Sequence, residues 1–320
     1  MKIHVKKTNV RSPFLGILAA IILVALSTLG PYAPSFGVQY HPLQQQSATI
    51  TEATINGNMT TTSPSTNATT TTAANATTTT ASVPDATLVE FVSNIEQIRG
   101  HLDQALINKE AGNNTLAEAH TLHPIEEIYS SIEEQLANQN NTLNQTLSTA
   151  LQSLASSVAD VTLEEFQSQT NSINTLLNNS VQAVVPASEF NNNPAFNASV
   201  VARLLDIAGH EYEEAVANGT IVLVVEYQDA QAFIDRAESV FGSSASRIDQ
   251  SMAPEIQEVN EFFSNLNGAV TNKDQPETVE TTINQIIQEL AEITGLSESQ
   301  LTGEEASEEA GEETGESGQD

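Results

Sequence analysis

The sequence contains no cysteine and no tryptophan among its 320 residues. Without cysteine the chain cannot form disulfides, cannot offer thiolate ligands to zinc or an iron–sulfur cluster, and cannot use a thiol as a nucleophile. Basic residues are also scarce, since 10 Lys and Arg stand against 41 Asp and Glu and give a formal net charge of −31. This charge argues against nucleic acid and anionic lipid as partners. It is compatible with cations, with basic partners or with solubility alone.

A long apolar run occurs near the amino end of the chain. Basic residues up to Arg11 precede the segment FLGILAAIILVALSTLG, Phe14 to Gly30. This order is typical of a secretion signal or a short membrane anchor, with the basic end inside the cell and the rest of the chain outside. Residues 1–30 are therefore predicted to export the protein, either as a cleaved signal or as a retained anchor. The predicted localisation is extracytoplasmic, secreted or tethered to the cell membrane.

Two segments have too few apolar residues to pack. Residues 31–83 include Ser/Thr runs such as TTTTAANATTTTAS, and residues 297–320 form an acidic tail without a base. Both are predicted to be disordered. Acceptor triplets for N-glycosylation occur in the linker and the body, although an Asn- and Thr-rich chain also produces them by chance. If they carry sugar, the linker is a glycosylated stalk. The acceptor asparagines are Asn58, Asn67, Asn75, Asn113, Asn140, Asn144, Asn178, Asn197 and Asn218.

Between these segments apolar residues recur at steps of three and four, the spacing of amphipathic helices. Thr162 and Glu165 form a capping-box signature at one helix start. About eight helices joined by short Asn/Gly loops predict an all-α fold of antiparallel hairpins in one or two up-down bundles. The apolar segment IVLVV, Ile221 to Val225, is interpreted as a helix start or an extended linker, because it is short and leads into a helical pattern.

The predicted hairpins divide into two halves. Hairpins 1 and 2 are placed at residues 84–185 and hairpins 3 and 4 at residues 195–296, with a linker at residues 186–194. A faint internal similarity relates the segment that starts at His101 to the segment that starts at His210, since each is followed by an Asn/Gly loop. This similarity suggests duplicated hairpins.

The first candidate site is in the stretch HTLHPIEE. One interpretation is structural, because proline and nearby glutamates favour a helix start at Pro124. The other is a metal site, because His120, His123 and Glu127 share one arc if the helix only kinks at the proline. That arc lies opposite the apolar stripe that begins at Ile125. The three side chains are therefore expected to face outward and, without ligands from another helix, to bind zinc or copper weakly.

The second candidate site consists of two glutamates on neighbouring helices. Glu211 lies on the apolar side of one predicted helix, and Glu226 lies at the edge of the next apolar stripe. An antiparallel hairpin turning at Asn218-Gly219 would bring them level. Two half-buried carboxylates need a proton, an arginine or a cation. A salt bridge to Arg203 or Arg236, a cation site and a proton-sharing catalytic pair all remain open.

A resemblance covers the stretch LLDIAGHEYEEAVANGTIVLVVEYQDAQAF, Leu204 to Phe233. Its pattern is Leu-Leu-Asp, an acidic-Tyr pair, Ala-Val, a Gly turn and Glu-Tyr. It resembles the extracytoplasmic helical segment ahead of the membrane part in some prokaryotic high-affinity iron permeases. The resemblance implies an iron-handling or accessory role, with Glu211 and Glu226 at matching positions. The Arg-Glu-Gly-Leu-Glu motif of the permease membrane helices is absent from the sequence, so transport by this chain is not predicted.

No enzyme motif stands out in the sequence, since it contains neither His-Glu-x-x-His nor Gly-x-Ser-x-Gly nor a P-loop. We therefore predict a non-enzymatic, tethered helical module that binds iron, zinc or copper, or that assists metal uptake beside a membrane permease or envelope protein. The alternative is a structural or interaction glycoprotein of the cell envelope with no metal role.

Overall fold

Helix formation begins at Asp85, whose side chain accepts a hydrogen bond from the backbone N–H of Thr87 and caps the first helix. The computed structural model describes residues 82–303. The predicted signal or anchor, most of the Ser/Thr-rich linker and the acidic tail beyond Gly303 lie outside the described residues. All structural statements below concern the described range.

Helices make up most of the described chain. They are α1 Ala86–Glu110, α2 Asn114–His123, α3 Tyr129–Ser157, α4 Leu163–Val184, α5 Ala187–Asn192, α6 Pro194–Ala215, α7 Val224–Ala245, α8 Ala253–Asn272, α9 Pro276–Thr294 and α10 Glu298–Thr302. A π-helical turn, Pro124–Ile128, joins α2 to α3, and a 3-10 turn, Gln250–Met252, precedes α8. The predicted capping box at Thr162 and Glu165 is present at the start of α4.

Helix α3 reverses direction at Asn140, whose φ of −156° and ψ of 86° are not helical. The hydroxyl of Tyr129 donates a 2.7 Å hydrogen bond to the backbone oxygen of Asn144. The same separation along a straight helix would span about 22 Å, so the two parts of α3 must lie side by side. The side chain of Asn140 caps the second part by accepting from the N–H of Leu143. With α2 and the first part of α3 taken together, the long helical segments match the eight that were predicted.

Helices adjacent in the chain pack on each other, α1 on α2, α3 on α4, α6 on α7 and α8 on α9. The predicted all-α hairpin fold is therefore confirmed. Helix α1 also packs against α6 and α7, so the two predicted halves share one apolar core. The segment expected to be a linker contains α5, which packs on α6. The expected tail starts later than predicted, because Glu298–Thr302 form α10 with a capping box at Ser297.

A short β-hairpin, with two residues in each strand, connects α6 to α7. Strand β1, Val216–Ala217, pairs antiparallel with β2, Thr220–Ile221. Asn218 and Gly219 have φ values of 52° and 73°, as a tight hairpin turn requires. The interpretation of residues 221–225 was therefore wrong at Ile221, which is in a strand, because the turn brings it level with Val216. Helix α7 begins at Val224.

The acceptor asparagines of the body differ in exposure. Asn113, Asn140 and Asn218 are exposed at a helix cap, the α3 reversal and the hairpin turn. Asn144 and Asn197 are each only 5% exposed, so a glycan on either would disrupt the packing. Within the described range no helix has the length and apolarity needed to cross a membrane.

Candidate metal centre

Helix α1 brings one histidine into the interior. His101 is 3% exposed because it follows Ile98 by three residues and precedes Ala105 by four, which places it on the buried face. Its neighbour Gly100 allows α1 to approach α7 closely, since a Cβ at Gly100 would lie 3.0 Å from Cδ1 of Phe233. The ring of Phe233 packs edge-on against His101, with centroids 5.1 Å apart.

Helix α2 supplies two more histidines directly before the π-helical turn. His120 is completely buried, and the side chain of His123 is 14% exposed. The buried Pro124 has no N–H, and the turn that starts there changes the register of the helix after His123. π-Helical turns occur frequently at functional sites.

Helix α7 provides the carboxylate on which these histidines converge. Asp229 is 1% exposed. Its Oδ1 lies 2.8 Å from Nδ1 of His101 and 3.0 Å from Nδ1 of His120, and its Oδ2 lies 3.2 Å from Nδ1 of His123. Residues more than a hundred positions apart thus meet at one buried point.

His101, His120 and Asp229 have the arrangement of metal ligands. One ligand atom from each lies within 4.8 Å of the other two, which is close enough for one ion to contact all three. Nδ1 of His101 is fully buried and has no hydrogen-bond partner. It lies 2.8 Å from Oδ1 of Asp229, but the contact does not have the geometry of a hydrogen bond. A buried nitrogen without a partner is costly unless an ion binds it.

The charges in the cluster are coupled. Burial alone would raise the pKa of Asp229, but the imidazoles of His101, His120 and His123 that face its oxygens hold that pKa well below its usual range. Burial opposes protonation of His123, yet its hydrogen bond to Asp229 and the charge of Glu127 raise the pKa of that imidazole to about 9. The cluster therefore holds an ionised carboxylate at neutral pH.

An acidic group lies beside this cluster. Burial, together with the negative charges of Asp229, Glu127, Glu226 and Glu214, raises the pKa of Glu211 to about 8. Glu211 is on α6, Glu226 is in the first turn of α7, and Glu127 is in the π-helical turn. The two predicted sites are therefore neighbours in one acidic region of the fold.

Two details of the sequence predictions were wrong. The trio of His120, His123 and Glu127 does not face outward together, because α1 and α7 cover the histidines and only Glu127 is exposed. The arginines considered for the glutamates bond elsewhere, since Arg236 donates to Glu96 over 2.9 Å and Arg203 donates to the backbone oxygen of Thr302 over 3.4 Å.

Two residues of the cluster, His101 and Asp229, were not predicted as ligands. The signal for His101 was its place in the apolar stripe of α1 and its similarity to the start of the later hairpin. For Asp229 the signal was a carboxylate between apolar positions, because it lies between Tyr227 and Ala230 on its helix. Neither signal identifies a partner without the fold.

The comparison with known families places part of this cluster in a recognised domain. Residues 186–297 match the iron permease-associated 4-helix bundle domain. The match confirms the partial resemblance predicted at Leu204 to Phe233. No curated protein and no solved structure gives a significant match. Asp229, Glu211 and Glu226 lie inside the matched range, whereas His101 and His120 come from the helices that precede it.

Proposed function

We propose that this protein is an extracytoplasmic helical module that binds a metal cation and assists iron uptake beside a membrane permease. The observation that carries the proposal is the buried group of His101, His120 and Asp229, whose ligand atoms lie within 4.8 Å of one another. Imidazole and carboxylate are ligands that iron, zinc and copper use in proteins. The match to the iron permease-associated domain favours iron among them.

The surroundings of the cluster suit an incoming cation. Glu127 and Glu226 place negative charge near the buried ligands, and Glu211 adds to it once the pH exceeds its pKa of about 8. A negative region with apolar walls raises the local concentration of cations and speeds their association. Because Asp229 is 1% exposed, a small ion reaches it more easily than an organic substrate does. We therefore propose a binding role without catalysis.

The proposed location rests on the sequence before residue 82. The basic residues and the apolar run from Phe14 to Gly30 support export and tethering, and the Ser/Thr-rich linker would hold the helical module away from the membrane. A module tethered in this way would stay close to the membrane surface and would be able to hand a cation to a permease in the same membrane. The glycosylated envelope scaffold is the competing function.

Titration of the full chain with Fe2+ under anaerobic conditions, and with Zn2+, tests the proposal. We expect one saturable site whose occupancy raises the melting temperature. His101→Asn and His120→Asn should each abolish this rise. The matched control is His210→Asn, because the side chain of His210 is 67% exposed and lies outside the cluster. Absence of saturable binding of either metal to the wild-type chain would favour the scaffold.

A further inference from the structure

A chain of hydrogen bonds starts at a backbone oxygen of α1 and ends at the candidate metal centre. The side-chain amide of Asn108 donates a 2.9 Å hydrogen bond to the backbone oxygen of Gln104. A backbone oxygen can only accept, so the nitrogen of Asn108 must face it. This bond fixes the orientation of the Asn108 amide, which is 4% exposed.

The orientation of Asn108 then fixes that of Gln228 on α7. The same amide nitrogen of Asn108 donates to Oε1 of Gln228 over 2.9 Å. In return, Nε2 of Gln228 donates to Oδ1 of Asn108 over 3.4 Å. If Gln228 were rotated by a half turn, two N–H groups would face each other and two oxygens would face each other, so only one orientation satisfies both amides.

Gln228 in turn fixes the tautomer of His120. Nε2 of His120 lies 2.7 Å from Oε1 of Gln228. Since that oxygen only accepts, Nε2 of His120 carries the proton. In the neutral ring, Nδ1 then has a lone pair, and it points at Oδ1 of Asp229 from 3.0 Å. Two acceptors at this distance repel each other unless a proton or a cation lies between them.

We propose that a divalent first-row transition cation of the ferrous class binds at Nδ1 of His101, Nδ1 of His120 and the carboxylate of Asp229, and that Gln228 is the positioning residue that keeps His120 ready for it. The inference deepens the proposed function and rests on it. The unpartnered Nδ1 of His101 is an independent indication of the same ion, because it is buried and lies 2.8 Å from the same carboxylate oxygen.

The donor set decides the class of ion. Two imidazoles and one carboxylate form the set that Fe2+ takes in non-haem sites with open positions, and imidazole also suits zinc and copper. Ca2+ and Mg2+ prefer sets made entirely of oxygen. A trivalent ferric ion would be neutralised poorly by one carboxylate, because the two histidines contribute no negative charge. A hydrogen bond from the distal nitrogen of a ligating histidine to a carbonyl is the usual outer contact of such sites.

The experiment measures the affinity of the full chain for anaerobic Fe2+, Zn2+, Ca2+ and ferric citrate, and repeats it with two substitutions at one position. Gln228→Leu removes the acceptor and should weaken Fe2+ and Zn2+ binding about 10–100-fold, the usual effect of losing an outer contact. Gln228→Glu keeps an acceptor and should bind these ions at least as well as the wild type. The matched control is Gln167→Leu, because Gln167 is exposed on α4.

A structural role alone would not change how the Nε2 proton of His120 exchanges with water, so the second measurement is 15N NMR of the imidazoles. We expect this proton to exchange slowly in the zinc-bound wild type and rapidly in Gln228→Leu, which lacks the acceptor that holds it. Equal affinities of Gln228→Leu and Gln167→Leu, or a proton on Nδ1 in the zinc-bound wild type, would overturn the positioning role and leave the proposed function intact. Preference for ferric citrate or Ca2+ would overturn the class of ion. Failure of the wild type to bind any of these ions would overturn both proposals.

Discussion

The substitution Asp229→Asn tests how much of the stability of the fold depends on the charge of the buried cluster. It preserves the shape of the side chain and removes the negative charge that three imidazoles face at 2.8, 3.0 and 3.2 Å. If an imidazole stays protonated, it becomes a buried charge without a partner, which costs about 3–5 kcal/mol. If His123 becomes neutral, the cost falls to its lost hydrogen bond to Asp229, about 1 kcal/mol.

The cost of Asp229→Asn should therefore depend on pH. The folded pKa of His123 is raised to about 9 from an ordinary value of 6.5, so its pairing with Asp229 stabilises the fold fully below about pH 6.5 and loses effect as the pH rises through 9. Asp229 has a lowered pKa, so its contribution is lost only in strong acid. We expect a loss of about 3–5 kcal/mol near pH 6 and about 1 kcal/mol near pH 9.

The assay is urea unfolding followed by far-ultraviolet circular dichroism, with a chelator present so that no metal contributes. The matched control is Asp206→Asn, whose carboxylate is 43% exposed and should matter little at either pH. A loss below about 1 kcal/mol near pH 6, or an equal loss at both pH values, would refute the argument that the carboxylate balances buried imidazole charge. In that case Asp229 balances no positive charge on His123 in this range.

Two further predictions concern the same region. Glu211→Gln should stabilise the metal-free protein by roughly 1–3 kcal/mol near pH 8 and little near pH 5. The reason is that the folded pKa of the Glu211 carboxyl is raised to about 8, so this residue lowers stability as the pH rises above its pKa in the unfolded chain. Urea unfolding at both pH values checks this, and a gain that does not change with pH contradicts it. Alanine in place of glycine within a helix usually stabilises a protein by about 1 kcal/mol, but Gly100→Ala should not do so. Its new Cβ would displace the ring of Phe233 that packs on His101, so we also expect weaker zinc binding. Gly268→Ala, where a Cβ meets no atom within 4 Å, should give that gain and leave zinc binding unchanged, and equal behaviour of the two alanine variants would contradict the prediction.

The helices could be predicted from the sequence because their causes are local. Apolar residues at steps of three and four produce a stripe that must be buried, and Thr162 with Glu165 satisfies the first N–H groups of α4 whatever surrounds it. The turn at Asn218-Gly219 is local in the same sense, because both residues tolerate positive φ. The prediction failed at Ile221 because each strand of this hairpin has only two residues. Strands this short produce no alternating pattern that could be recognised in the sequence.

The candidate site could be predicted only in part. His120, His123 and Glu127 were grouped correctly by helical spacing, but their exposure depends on the helices that cover α2, and spacing within α2 contains no information about them. The assumption that an apolar stripe leaves the opposite face in water holds for a helix covered on one side. Helix α2 contacts α1 and α7, so His120 is completely buried although it lies opposite the isoleucines.

The residue pattern accounts for the helices, their approximate number, the excess of negative charge and the histidines and carboxylates from which a site can be built. The packing of the helices was needed to show that His101, His120 and Asp229 meet, that Gln228 faces the distal nitrogen of His120, and that two separately predicted groups of residues are neighbours. The reason is physical. Helix formation depends on contacts within about one turn, whereas a metal centre depends on atoms that approach within a few ångströms only after distant helices have packed.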